Sequence, residues 1–89
     1  MLTVTERASR ELKQVLDSVE RESNQCLRLI TDPQGNFRLT LDIERENDQV
    51  VRHQEEAVLL IEPAIAQHLE GAVLDVEDTP AGPALVISR

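Results

Sequence analysis

Cys26, His53 and His68 are the side chains of this 89-residue chain best suited to bind a soft metal or to act as nucleophile and base. Their number and spacing restrict that chemistry. An iron-sulfur cluster takes thiolates, usually four, so Cys26 alone would serve only in an oligomer or with borrowed small-molecule thiols. The ordinary role of such a free cysteine is that of a small, weakly reactive filler. Arg28 shares its strand parity and would lower the thiol pKa if the two side chains touched. His53 and His68 fall on different elements and lack the close partner spacing of zinc ligands. His68 is expected near the C-terminal end of a short helix, where a partly positive ring suits the helix dipole, and His53 is expected to face solvent beside Arg52.

Carboxylates are the second source of chemistry. Asp42, Glu44, Glu46 and Asp48 form the densest acidic group; alternation puts Asp42 and Glu44 on one strand face, with Glu46 and Asp48 in the turn that follows. Such a group holds a hard cation weakly, and an EF-hand is excluded, since the required glycine would be Asn47 and the terminal glutamate His53. A solvated strand face is the expectation. Ser9, Ser18, Ser23 and Ser88 have no nucleophile-elbow context, and no glycine-rich phosphate loop opens a helix. No catalytic, cofactor-binding or metal residue is therefore assigned, no cofactor is expected, and the chain reads as non-enzymatic.

The elements that must position these residues are set by periodicity. Ala8, Leu12, Val15, Leu16 and Val19 recur at helical spacing among charged residues, predicting an amphipathic helix over about 5–22 with Thr5 as its N-cap. Residues 2–4 precede it as a short strand. Beyond residue 24 the period becomes two: Phe37, Leu39, Leu41 and Ile43 alternate with polar residues, and residues 26–31 form the strand before them. Between these strands Asp32-Pro33-Gln34-Gly35-Asn36 supplies turn chemistry, so the pair is expected to be an antiparallel hairpin. Strands at 49–53 and 57–61 follow, the latter apolar on both parities and hence covered on two faces.

Pro63 at a first helical position and Gly71 at a left-handed cap frame a second helix over about 63–70, with Ala64, Ile65, His68 and Leu69 on its buried side. Strands at 72–79 and 84–88 close the chain around Pro80-Ala81-Gly82-Pro83. The fold class is α+β, read as one domain over 1–89.

Four pieces of this order carry a resemblance. Leu2-Thr3-Val4-Thr5 before a helix, Leu27-Arg28-Leu29 entering the hairpin, Glu62-Pro63 with Leu69 and Gly71, and Asp75-Val76-Glu77-Asp78 before the last turn resemble the HesB/IscA, or A-type carrier, family of iron-sulfur cluster biosynthesis. The stretch 59–76 is its core, and the likeness runs over nearly the whole chain. It implies a compact domain of twisted, mostly antiparallel sheets with two helices. It also implies three cluster-ligand cysteines, one in a longer glycine-rich hairpin loop and two in a Cys-Gly-Cys tail. None is found: the turn is the shorter 32–36 segment, the sequence stops at Arg89, and Cys26 aligns with none of them.

Composition removes other functions. A net charge of −8 opposes polyanion binding, and Phe37, the lone aromatic residue, offers no stacking platform for bases, so nucleic acid is not an expected partner. No apolar run approaches a membrane span and no signal-peptide pattern opens the chain; a cytoplasmic location is expected. The function expected is contact with a protein partner, as partner or regulator in iron-sulfur cluster assembly or in another binding role, with homodimerisation through exposed sheet edges as a further expectation. The alternative is a cluster or metal carrier using Cys26, histidine or carboxylate ligands in an oligomer.

Overall fold

The computed structural model describes residues 2–88; Met1 and Arg89, the ends of the expected 1–89 domain, lie outside the described residues. The strand β1 (Thr3–Val4) leads into helix α1 (Glu6–Ser18), followed by β2 (Gln25–Thr31), β3 (Phe37–Ile43), β4 (Gln49–His53), β5 (Glu56–Ile61), helix α2 (Pro63–His68), β6 (Val73–Thr79) and β7 (Gly82–Ser88). Two sheets result. One runs β1-β6-β7 and the other β3-β2-β5-β4. Three pairings, β2 with β3, β4 with β5 and β6 with β7, are antiparallel, whereas β1 with β6 and β2 with β5 are parallel.

Helix α1 starts where the sequence placed its cap. Thr5 is extended (φ −69°, ψ 159°) and its hydroxyl oxygen accepts the Ala8 N–H at 3.1 Å. The same hydroxyl donates to Asp75 Oδ1 at 2.8 Å, which ties the helix start to β6. The helix ends at Ser18, short of the expected residue 22. Val19 is already extended (φ −109°, ψ 149°) and 39% exposed, so it leaves the buried stripe formed by Ala8, Ser9, Leu12 and Leu16. Past the helix, Arg21 Nη1 donates to the Gln25 carbonyl at 3.0 Å and Glu22 N–H to Gln25 Oε1 at 2.9 Å, which shapes residues 19–25 into a separate connection.

Strand β5 is buried on both faces as its composition demanded: Val58, Leu59, Leu60 and Ile61 are all 0% exposed. Leu27 stands opposite both Leu41 and Leu59, and Leu29 opposite Leu39, so these leucines face one way. They meet Leu74, Val76, Leu85 and Ile87 of the other sheet in a common core that includes Leu12 and Leu16 of α1. Helix α1 packs across both sheets. Cys26, Arg28 and Leu60 lie at the alternate positions and share the opposite face of the four-stranded sheet.

Helix α2 begins with Pro63 and ends before Gly71, which has the left-handed φ of 79°. Its inward side differs from expectation. Leu69 just beyond it is buried, and Ile65 and Ala66 pack on the core, while Ala64 and His68 are exposed. With about two turns, the helix presents a narrower stripe than four core contacts would need. The final hairpin pairs Thr79 with Gly82, so its turn is tighter than expected and β7 starts two residues before Ala84; Gly82 takes φ 113° there.

Candidate functional site

Cys26, near the start of β2, is 6% exposed. Burial pushes its thiol pKa up, outweighing the lowering effects of the Leu27 backbone hydrogen bond and of Arg21 and Arg28. The lowering that Arg28 could bring is thus outweighed by desolvation, and the guanidinium is committed to Asp48 and Asp42, in keeping with a weakly reactive filler. The thiol borders an open groove of about 1150 Å³ formed by the end of α1, the 19–25 connection and the starts of β2 and β5.

Arg28 is the most elaborate polar centre on this face. Its side chain is 4% exposed and that of Asp48 2%. Nη1 donates to Asp48 Oδ1 at 3.0 Å and Nη2 to Asp48 Oδ2 at 2.6 Å, a two-pronged pair. Nε donates to Asp42 Oδ2 at 2.8 Å, and Nη2 also reaches the Ile43 carbonyl at 3.2 Å. Arg45 completes the cluster: its Nη2 donates to Asp42 at 3.0 Å and its backbone N–H to Asp48 at 2.8 Å. The hydrogen bond from Arg28 holds the Asp48 carboxyl below the usual range. Asp42 is also lowered, first by the Ile43 N–H and then by the two arginines. Residues 44–48 are thereby fastened to β2. The acidic group expected to be a solvated face is split: Asp42 and Asp48 neutralise a buried arginine, while Glu44 and Glu46 remain exposed.

The 32–36 turn is equally committed. Asp32 Oδ1 accepts the N–H groups of Gln34 and Asn36, both at 2.9 Å, and Oδ2 pairs with Arg38 at 3.1 Å. These bonds, led by that from Asn36, lower the Asp32 pKa. Gly35 supplies the left-handed φ of 85° that closes the turn.

His53 does not face solvent as expected. It is half-buried, and its Nδ1 lies 3.2 Å from Ser9 Oγ. The Ser9 hydroxyl also donates to the Glu6 carbonyl at 2.9 Å, so the contact joins β4 to the first turn of α1, with the direction of the Ser9–His53 bond set by the imidazole tautomer. His68 is exposed at the end of α2. Among the described residues no group of three or more His, Cys, Asp or Glu is arranged to hold a metal ion.

No family model matches the chain, and no curated protein matches its sequence. Solved structures do match. Escherichia coli SufA, described as involved in biosynthesis of iron-sulfur clusters, superposes with a TM-score of 0.74 at 14% identity, covering 99% of this chain and 84% of that one. IscA, solved with a 2Fe–2S cluster, gives 0.65 at 20% identity over 100% and 85%. A protein from Aquifex aeolicus, solved by solution NMR, gives 0.62 at 25% identity over 99% and 90%. The chain has the HesB/IscA-like fold.

With this fold, the donor set of a single chain falls short of a cluster. Four thiolates are the usual requirement, and the described residues offer the buried Cys26. The turn in which the resemblance implied a ligand cysteine is closed by Asp32, whose two carboxylate oxygens are both engaged within or beside the turn. Sequence reasoning missed the Arg28–Asp48 pair, although it left a signal: an arginine within Gln25–Thr31, a run apolar on both sides, needs a buried counter-charge. Ser9 left a weaker one, lying next to Ala8 on the edge of the helical stripe.

Proposed function

We propose that this chain is a non-enzymatic HesB/IscA-like domain spanning 1–89 that acts by protein contact in iron-sulfur cluster assembly, as a partner or regulator, in the cytoplasm. One observation carries the reading: the carrier fold is kept while the thiol chemistry is reduced to Cys26, 6% exposed and with its pKa raised by burial. A thiol in that state is a poor ligand and a poor nucleophile. SufA's involvement in iron-sulfur cluster biosynthesis and the 2Fe–2S cluster held by IscA support the setting. That no helix among the described residues is long and apolar enough to cross a membrane is compatible with it.

The test is affinity capture from the native cell with the tagged chain as bait and a surface-matched unrelated acidic domain as control. Enrichment of iron-sulfur assembly proteins over the control is the expected result. A reproducible capture set without them would overturn the assignment to cluster assembly.

A further inference from the structure

The groove beside Cys26 has a composition unlike the rest of the surface. Asp17, Glu20, Glu22, Glu44 and Glu56 line it against Arg21 alone. Five carboxylates against the guanidinium of Arg21 and the neighbouring ammonium of Lys13 leave three negative charges around one opening. Asp17 and Glu56 are already matched by Lys13, and Arg21 stands 3.6 Å from Glu56. Glu20, Glu22 and Glu44 have no such match among the described residues. Between these walls the apolar surface within reach is that of the exposed Val19 and the half-buried Ala57, while Leu16 and Leu60 lie closed off beneath and Ser23, Asn24 and Gln25 complete the lining.

We propose that this groove docks a Lys/Arg-rich segment of a partner protein that presents an apolar side chain to the Val19–Ala57 floor. The proposal deepens the protein-contact reading above and rests on it. Three observations select this occupant. The sign of the field repels nucleic acid and acidic peptides and draws in cations. The carboxylates are not arranged to hold a metal ion, so distributed cationic side chains, each reaching one carboxylate, match them better than a point charge. The volume, about 1150 Å³, exceeds the usual range for small-molecule pockets and suits several residues of chain. Val19 is available because α1 stops at Ser18: a helix running to residue 22 would carry Val19 on the inward stripe.

The test uses a fluorescein-labelled peptide of Lys-Arg-Leu repeats and a matched peptide of Glu-Glu-Leu repeats, titrated with the full chain. Saturable binding of the basic peptide alone, weakening as salt rises, is expected. Glu20→Gln/Glu22→Gln/Glu44→Gln lowers that affinity by about tenfold or more. Glu6→Gln/Glu62→Gln/Glu77→Gln, with the same change in net charge but no groove residue, lowers it by less than about threefold. Amide shifts caused by the peptide centre on Val19, Cys26 and Ala57, and bound peptide slows the reaction of Cys26 with a thiol reagent. Equal loss in both triple variants, shifts centred elsewhere, or no binding overturns the groove. If the peptide fails while wild type and the groove variant capture assembly proteins equally, the groove falls and the contact reading stands. If the peptide binds but no assembly protein is captured, the opposite follows.

Discussion

Arg28 occupies a strand position that its neighbours fill with hydrocarbon, and it is tolerated there because Asp48 meets it with two hydrogen bonds. Removing one partner of such a pair leaves an uncompensated buried charge, so Arg28→Ala is expected to cost about 3 to 5 kcal/mol in urea unfolding. Replacing both, as Arg28→Met with Asp48→Leu, should recover most of that loss. The pair also predicts a pH dependence. The native Asp48 pKa lies below its unfolded value of about 3.9, so its contribution is complete at neutral pH and is lost as pH falls through the native value. Asp48→Asn should therefore be less stable than wild type at pH 7, with the gap beginning to close below about pH 4; a constant gap down to pH 2 would contradict the geometry. The need for a counter-charge was legible at Arg28, but its source was not. Asp48 is 20 residues away and reaches Arg28 only because the β3–β4 connection folds back over β2.

At the scale of elements, most of the structure was legible because its signals are local. Thr5, Pro63 and Gly71 mark helix ends through their own backbone preferences, and each stands where that preference is used. Thr5 has a second role that no local pattern reveals, its hydrogen bond to Asp75 across the chain. Thr5→Ala should lower stability by about 1 to 2 kcal/mol, and Thr5→Ser should restore most of it. The C-terminal end of α1 was less legible. Val19 continues the helical spacing, yet Ser18 turns its hydroxyl back to the Val15 carbonyl at 2.8 Å and Arg21 caps the Gln25 carbonyl instead of a helical one. Leu12, 0% exposed and central to the stripe, is the position where the helix depends most on tertiary packing. Leu12→Ala should cost about 2 to 5 kcal/mol by thermal or urea unfolding, a large share of the roughly 4 to 13 kcal/mol available to a chain of this size.

For the whole molecule, two sheets and two helices share one aliphatic core with a radius of gyration of 12.4 Å. The order of elements was readable from alternating periods, and the superposition on SufA confirms the architecture at an identity of 14%. The proposed function separates from that architecture because cluster chemistry needs thiolates, whereas the core here closes on aliphatic side chains. Here the hairpin turn is held by Asp32 and the lone thiol is buried. Anaerobic reconstitution of the full chain with ferrous iron and sulfide, followed by native mass spectrometry, tests this most directly. The account predicts only the apo mass and no cluster absorbance, with Cys26→Ala indistinguishable from wild type. A stoichiometric cluster that Cys26→Ala abolishes would contradict it.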